Sequence, residues 1–274
     1  MRKIICALTI CLAAGCQSVD TTQPGVVGVD RDQRMMVSAQ EMEAGAAKAY
    51  AQMMAEARKK NLLDRNPAQV QRVQAIVKRL IPQTTHFRPD AAKWAWEAHV
   101  ISVNEVNAWC MPGGKMAIYT GLIEKLDATD EEIAAVMGHE IAHALREHSR
   151  ERASREMGTS VAVGVVGALL GLGDLGQNLA GLAADVTLNK PNSRTQETEA
   201  DRIGVELAAR AGFDPRAAIT LWEKMAKAGG GGPPQWLSTH PSNETRLADL
   251  KVYSDRVMSL YQAAKSGASA STGK

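Results

Sequence analysis

Two histidines, His139 and His143, lie four residues apart, and a glutamate, Glu140, directly follows the first. On an α-helix, residues with this spacing lie on one face about one turn apart, so both imidazoles can bind a single metal ion. Zn²⁺ accepts such nitrogen ligands at about 2.0–2.1 Å. Glu140 would lie beside the metal, where it can take a proton from a metal-bound water and pass it to a leaving amine. The spacing therefore predicts a zinc site that hydrolyses peptide bonds.

The sequence around this pair predicts a helix that can position it. Thr129 and Glu132 form a capping box before a largely apolar stripe, so we expect a buried helix from Thr129 to near Met157. Gly138 lowers helix stability by about 1 kcal/mol relative to alanine, a cost that close approach of another backbone would explain. The alternative is that both histidines are ordinary residues of a half-buried helix.

A catalytic zinc site needs a third protein ligand and an open position for water. If the helix continues, His148 lies on the face opposite His139, so we expect it to be a surface residue. Glu197 and Asp201 lie one turn apart on a second predicted helix. Glu197 could complete a His₂Glu site, and Asp201 could accept a hydrogen bond from the free ring nitrogen of a ligand histidine. Glu199 should point elsewhere, and an ordinary acidic helix start is the alternative interpretation of this stretch.

Four ordered motifs resemble a known enzyme family. They are the metal pair at 139–143, the acidic pair at 197–201, the segment 107–122 before the metal helix, and the segment 239–246. Together they are similar to the HtpX-like branch of the gluzincin metallopeptidases, which includes the CAAX prenyl proteases, and most of all to its periplasmic members. The resemblance covers roughly residues 90–250. It implies an α+β fold, a mainly helical zincin-type domain with a small β-sheet whose edge strand borders the zinc cleft.

The resemblance also implies roles for residues outside the metal site. A predicted strand after the Pro-Gly-Gly turn would be the sheet edge beside the cleft and would pair with extended substrates through main-chain hydrogen bonds. Its residues are Lys115, Met116, Ala117, Ile118 and Tyr119. His240 and Arg246 would approach the catalytic centre and stabilise the oxyanion, or His240 would occupy the open zinc position in a resting state. Without the resemblance, these stretches describe an ordinary edge strand, a loop and a surface helix.

The first residues predict export and a lipid anchor. Arg2 and Lys3 precede an apolar run that ends in small residues before Cys16, a pattern typical of a secretory signal and too short for a membrane span. It resembles a bacterial lipoprotein signal, which implies a fatty-acylated, palmitate-bearing Cys16. Gln17 at the next position indicates sorting to the outer membrane, facing the periplasm. Secretion without lipid is the alternative. With Cys16 acylated only Cys110 remains, so no disulfide is expected.

Composition and pattern divide the chain into four regions. We expect a signal over residues 1–15, a flexible tether over 16–36, a single metallopeptidase domain over 37–263 and a disordered tail over 264–274. Within the domain, N-terminal helices are expected over about 37–90 and the catalytic core over about 91–250. A membrane span within the glycine-rich stretch 157–181 would separate the two metal-binding helices, so we expect a lid over the cleft there instead.

Together these features predict a zinc-dependent endopeptidase of the bacterial cell envelope. Its expected substrates are unfolded or misassembled envelope proteins, and the outer-membrane assembly machinery is a candidate partner. The alternative is a non-proteolytic chaperone or assembly adaptor that holds extended chains in the same cleft, but such a protein has no need of Glu140 as a base. The formal net charge is +2 over 274 residues, so nothing indicates nucleic-acid binding.

Overall fold

The computed structural model describes residues 17–169, 179–228, 234–241 and 244–271. These residues form a mainly helical α+β fold with small sheets, which confirms the predicted fold class. In chain order the elements are β1 (Gln17–Val19), β2 (Gln33–Met35), α1 (Ala39–Lys59), α2 (Pro67–Leu80), β3 (Glu97–Ile101), β4 (Ala108–Met111), β5 (Lys115–Tyr119), α3 (Thr120–Lys125), α4 (Asp130–Leu145), α5 (His148–Leu169), α6 (Leu179–Leu188), α7 (Arg194–Arg210), α8 (Ala217–Lys227), α9 (Gln235–Thr239), α10 (Glu244–Arg256) and α11 (Met258–Ser271). Two 3₁₀ turns, Ile81–His86 and Pro89–Lys93, join α2 to β3.

Local capping groups decide where the helices that carry the site begin. Ser38, Thr129 and Ser193 each accept a hydrogen bond from a backbone N–H of the first turn, and each closes a capping box. Asn66 caps α2, which has Pro67 in its first turn. Such groups satisfy donors that a helix start leaves unpaired. The predicted capping box at Thr129 is confirmed, and α4 and α7 both begin at residues that the local sequence specifies.

Helices α4 and α7 pack against each other at a pair of glycines. A Cβ added to Gly138 would lie 3.0 Å from the carbonyl oxygen of Gly204, and a Cβ on Gly204 would lie 2.9 Å from the backbone N of His139. A larger side chain at either position would push the two helices apart. The close backbone approach that would explain Gly138 is therefore present. It brings Glu197 and Asp201 of α7 within reach of the histidines of α4.

The helix that carries the histidines ends earlier than predicted. α4 stops before Arg146 and α5 begins at His148, so the prediction of one helix to near Met157 is wrong. Glu147 has a φ of +50°, a left-handed conformation that ends a right-handed helix. Arg146 is completely buried and supports the turn by donating from Nη2 to the carbonyl oxygen of Arg31 at 2.6 Å. Because a new helix starts at His148, the rotation of α4 does not determine where that side chain points.

The three-stranded sheet has the order β3-β5-β4. β5 pairs in parallel with β3 and antiparallel with β4, so Lys115–Tyr119 is the central strand and the prediction that it forms the sheet edge is wrong. Gly113 and Gly114 have φ values of +78° and +80°, which allow the chain to return tightly and make β4 and β5 a hairpin. The outer strand of this hairpin is β4. It is fully buried and packs against α4 and α6, so β4 is the edge strand on the metal side of the sheet.

The predicted tether, residues 16–36, is folded from residue 17 onward. β1 and β2 form an antiparallel pair, and Val27 and Val29 lie in the main hydrophobic core. Gln33 is completely buried and donates from Nε2 to the carbonyl oxygen of Arg146 at 2.7 Å. A flexible tether is therefore the wrong description of this N-terminal segment (residues 17–36). Its few apolar and amide side chains are held by partners more than a hundred positions away, which local composition does not reveal.

The predictions for the C-terminal tail, the glycine-rich stretch and the signal have different outcomes. α11 continues to Ser271, so a disordered tail from residue 264 is wrong for the described part of the chain. The stretch 157–181 is helical up to Leu169 and again from Leu179, and residues 170–178 lie outside the described residues, so the lid stays a prediction. The signal 1–15 and Cys16 also lie outside them. No described helix is long and apolar enough to cross a membrane.

Candidate metal centre and active site

Four buried side chains converge at the contact between α4 and α7. His139, His143, Glu197 and His240 each offer one ligand atom, and these atoms all lie within 4.8 Å of one another. The Nε2 atoms of His139 and His143 are 3.0 Å apart. Glu197 lies between them, with Oε2 3.7 Å from His139 Nε2 and Oε1 3.4 Å from His143 Nε2. The structure thus brings the three predicted ligands together and adds His240 to the same cluster.

The surroundings of Glu197 show that the cluster fits a metal ion. Glu197 is completely buried. Among the described residues, neither of its oxygens has a donor in acceptable hydrogen-bond geometry, although Arg246 Nη1 lies 2.6 Å from Oε2. A buried carboxylate without adequate hydrogen bonds is costly. A cation shared with two imidazole nitrogens would compensate, and a set of two histidines and one carboxylate is a set that Zn²⁺ prefers.

Asp201 lies directly behind the first histidine. Its Oδ1 is 3.0 Å from Nδ1 of His139, and Arg246 donates to both Asp201 oxygens at 2.7 Å. Burial raises the pKa of Asp201, but the Arg246 guanidinium and the His139 ring outweigh it, so that pKa lies below its ordinary value. The structure therefore puts Asp201 where the sequence predicted it, as the residue that orients the His139 ring.

Arg246 lies next to the metal cluster, as the resemblance implied. It is 3 % exposed, and besides Asp201 and Glu197 it contacts the carbonyl oxygen of Pro241 at 3.0 Å. Its guanidinium also lies over the ring of Trp222. These contacts hold Arg246 against the two carboxylates of α7. Stabilisation of an oxyanion by Arg246 stays a prediction.

His148 lies behind the second histidine, so the prediction that it is a surface residue is wrong. It is completely buried, with Nδ1 2.8 Å from Nδ1 of His143 and Nε2 2.9 Å from Oε2 of Glu199. Burial lowers the pKa of His148. Glu199 does point away from Glu197, as predicted, but toward His148. Sequence periodicity missed this contact because it depends on the helix break at Glu147, for which no glycine or proline gives a signal.

Glu140, the predicted base, is held by a residue that the sequence analysis did not single out. Trp236 donates from Nε1 to Glu140 Oε1 at 2.8 Å. Burial raises the pKa of Glu140 to about 7, against the opposing charge of His139 and the Trp236 hydrogen bond. A carboxylate with that pKa can both accept and return a proton near neutral pH. Trp236 precedes the 239–246 motif by only a few positions, but no pattern in the sequence connects it with Glu140.

His240 closes the cluster on the side of Glu140. Its Nε2 lies 3.4 Å from Glu140 Oε1, and its ring stacks on Trp236 with 4.5 Å between centroids and 16° between planes. Thr239 Oγ1 lies 3.0 Å from its Nδ1, which helps to fix the ring orientation. His240 is 4 % exposed. It therefore lies where a fourth metal ligand, or a group facing the reacting carbonyl, would be.

The residues predicted to bind substrate do not line the metal side of the sheet. Lys115 lies at one end of the central strand and pairs with Glu97 and with the carbonyl oxygen of Ala95. The strand on the metal side is β4. β4 packs against α4, the helix that carries Glu140. Burial raises the pKa of Cys110 on β4 well above the ordinary value, and the charge of Glu140 raises it further.

Comparisons with known proteins agree with this geometry. Residues 67–254 match peptidase family M48. Mitochondrial metalloendopeptidase OMA1 of Arabidopsis thaliana is 37% identical over 176 residues, which is 63% of this chain and 35% of the relative. OMA1 of Bos taurus is 35% identical over 204 residues, 70% of this chain and 38% of the relative. The beta-barrel assembly-enhancing protease of Escherichia coli (strain K12) is 31% identical over 172 residues, 59% of this chain and 35% of the relative.

The match to this chain therefore covers little more than a third of the length of each of these three relatives. They include mitochondrial proteins as well as a bacterial one, so the likeness extends beyond the periplasmic proteins to which the motifs pointed. The matched region, 67–254, contains the two histidines, Glu197, Asp201 and His240. The match covers well over half of the chain and all of the metal cluster, and the chain belongs to peptidase family M48.

Proposed function

We propose that this protein is a zinc metalloendopeptidase of the bacterial cell envelope. The observation that carries the proposal is the convergence of His139 and His143 on Glu197, a buried carboxylate that lacks adequate hydrogen-bond donors. Beside it lies a second carboxylate, Glu140, with a pKa of about 7. Membership of peptidase family M48 and the names of the relatives, which are metalloendopeptidases and a protease, agree with this function.

Each residue of the site has its own role in the proposed reaction. His139, His143 and Glu197 would hold Zn²⁺, which when bound polarises the peptide carbonyl and lowers the pKa of a water. Glu140 takes the proton from the attacking water and delivers it to the leaving nitrogen, a sequence for which a pKa near 7 is suited. Trp236 keeps Oε1 of Glu140 in place, so the second oxygen is the one left for the water. Asp201 holds the tautomer of His139 throughout.

His240 offers a reason for the enzyme to be latent. In its present position it lies against Glu140 and within the ligand cluster, where it takes space that water and substrate need. We propose that His240 leaves this position when the enzyme is active, which opens space for water and substrate beside Glu140. A partner or substrate that moves α9 and the following residues would then control activity.

The proposed substrates are unfolded or misassembled envelope proteins, which are bound in extended form. β4 is a better candidate for the pairing strand than the central strand β5, because only one of its edges pairs within the sheet. β4 is buried and packs against α6, so pairing with a substrate would require α6 to move aside. The name of the Escherichia coli relative, a beta-barrel assembly-enhancing protease, supports envelope proteins as the substrate class. It also supports the outer-membrane assembly machinery as a partner. With the N-terminal segment folded from residue 17, a lipid on Cys16 would hold the domain against the outer membrane without an intervening tether.

The test compares the parent protein with Glu140→Gln and His240→Ala. Each purified protein is analysed for bound metal and then incubated with an unfolded protein substrate. We expect one zinc per chain in the parent and in Glu140→Gln, cleavage by the parent that Glu140→Gln lacks, and faster cleavage by His240→Ala. Full cleavage by Glu140→Gln would contradict the catalytic assignment. A parent that binds no zinc and cleaves nothing, but protects unfolded chains from aggregation, would favour a chaperone or assembly adaptor.

A further inference from the structure

A chain of polar side chains, buried except at its last member Arg31, runs from the second metal ligand to the N-terminal segment. His143 Nδ1 lies 2.8 Å from His148 Nδ1, and His148 Nε2 lies 2.9 Å from Glu199 Oε2. Arg31 completes the chain, with its Nε 2.6 Å from Glu199 Oε1. His148 is completely buried and Glu199 is only 6 % exposed, so solvent offers these groups few other partners.

The hydrogen bonds of this chain have one possible direction when His143 binds a metal. His143 would bind through Nε2, the atom that faces His139 and Glu197, so its Nδ1 carries the proton and donates to His148. His148 Nδ1 then accepts, and its Nε2 carries a proton and donates to Glu199. A carboxylate only accepts, so Glu199 selects this tautomer of His148 and, through it, the metal-binding tautomer of His143.

Arg31 is held so that it fixes the orientation of Glu199. Its Nη1 and Nη2 lie 2.7 and 3.0 Å from the two oxygens of Glu151 on α5, while Nε and Nη2 reach the oxygens of Glu199 on α7. A planar guanidinium between two carboxylates fixes both in direction as well as in distance. The N-terminal segment therefore contributes a rigid group to a network that ends on a metal ligand.

The backbone of the N-terminal segment is held at the same point. Arg146 donates from Nη2 to the carbonyl oxygen of Arg31, and Gln33 donates from Nε2 to the carbonyl oxygen of Arg146 and to Glu151 Oε2. Arg146 and Gln33 are completely buried, and Glu151 is 6 % exposed. Displacement of the segment would withdraw Arg31 and leave Glu199 held beside His148 only by Arg146, whose Nε lies 3.3 Å from Glu199 Oε2.

We propose that Arg31 is a positioning residue of the metal site, which acts on His143 through Glu199 and His148. The N-terminal segment is thereby a part of the metal centre, and its docking sets the geometry of the second ligand. This inference rests on the proposed zinc site. Arg31, Glu199 and His148 are neither metal ligands nor the predicted base.

The first experiment compares Arg31→Met with Arg34→Met in the full chain. Arg34 lies on β2 of the same segment and is exposed, so it is a matched control for charge and side-chain length. The zinc dissociation constant is measured by chelator competition, and the Co²⁺-substituted proteins are compared by their visible absorption, which reports ligand geometry. We expect about tenfold weaker zinc binding and a changed Co²⁺ spectrum for Arg31→Met, and no change for Arg34→Met. Arg31→Lys, which keeps the charge but loses the planar fork, should lie between them.

The second experiment separates positioning from general stabilisation by a double-mutant cycle. His148→Phe should weaken zinc binding by about 10–100-fold. If Arg31 acts through His148, then Arg31→Met should add no further loss of zinc affinity in the His148→Phe background. A purely structural role would instead give the same loss in both backgrounds, or lower the melting temperature of the metal-free protein while zinc affinity stays unchanged.

The outcomes also separate this inference from the proposed function. A parent protein that binds no zinc would overturn the metal site and this inference with it. A parent that binds zinc, together with an Arg31→Met protein that binds it equally well with the same Co²⁺ spectrum, would overturn this inference alone. If Arg31→Met does not fold, Arg31→Lys and Glu199→Gln decide by the same two measurements.

Discussion

The two ligand histidines of α4 are supported in different ways. Nδ1 of His139 meets a carboxylate, Asp201, which Arg246 holds at both oxygens. Nδ1 of His143 meets another imidazole, His148, and a carboxylate enters only at the next step. The support of His139 comes entirely from α7 and α10, whereas the support of His143 extends into the N-terminal segment. One ligand is thus held by a direct hydrogen bond to a carboxylate and the other by a longer, directional chain of hydrogen bonds.

This difference changes the basicity of the two rings. Burial lowers the pKa of His139, but the hydrogen bond that its ring donates to Asp201 and the charge of Glu197 outweigh it and leave that pKa above its ordinary value. For His143, burial and the nearby histidines act in the same direction and hold the pKa well below the ordinary value. We interpret His139 as the more basic ligand, and His143 as a ligand that depends on being correctly oriented by His148.

The largest effect should follow from breaking the support of His139. Asp201→Asn removes a buried charge and leaves Arg246 without its bidentate partner, so we expect a loss of about 3 kcal/mol in the free energy of unfolding and zinc binding weakened by about 10–100-fold. The control is Asp249→Asn, since Asp249 forms a bidentate pair with Arg202 between the same two helices at 24 % side-chain exposure. That variant should lose only about 0–1 kcal/mol. Denaturant unfolding and chelator competition measure both effects, and equal losses in the two variants would contradict the distinction.

A smaller effect, with a distinct pH dependence, should follow from breaking the support of His143. Although burial raises the pKa of Glu199, hydrogen bonds from His148 and Arg31 bring it down from 4.5 to about 2. A lowered pKa in the folded state means that Glu199 stabilises the protein above pH 4.5 and that this contribution is lost as the pH falls toward 2. Glu199→Gln should therefore be less stable than the parent at pH 7. The stability difference should shrink as the solution is acidified through that range.

Urea unfolding of both proteins at a series of pH values tests this second prediction. A stability difference that stays constant from neutral to acidic pH would show that the charge of Glu199 is not what holds the N-terminal segment to the metal site.

The smallest effect should come from a substitution that touches neither support. Trp236 donates to Glu140, and this hydrogen bond opposes the burial that raises the pKa of Glu140. Trp236→Phe should raise that pKa further and shift the acidic limb of the pH–activity profile to higher pH, with activity reduced roughly threefold below neutral pH and little changed above pH 8. Zinc affinity should not change. Trp222→Phe, which alters a neighbouring ring that lies against Trp236 at an angle of 50°, is the control and should leave the profile in place.

The parts of the fold that were predicted correctly depend on short-range patterns. The capping box at Thr129 and the glycine at 138 are local signals, and each corresponds to a real feature of α4. The predictions that failed needed knowledge of distant contacts. The strand order, the helix break at Glu147 and the folding of the N-terminal segment all depend on which distant residues pack against them. Hydrophobic periodicity contains no information on those distant contacts.

The sequence by itself determined which side chains can share a metal ion. His139, Glu140 and His143 have fixed relative positions because helical rotation is a local property, and the same holds for Glu197 and Asp201. Only the tertiary structure decided what stands behind each ligand. Trp236 reaches Glu140 from far along the chain, and Arg31 approaches His143 through two intermediates, because side-chain hydrogen bonds form wherever packing places donor and acceptor together.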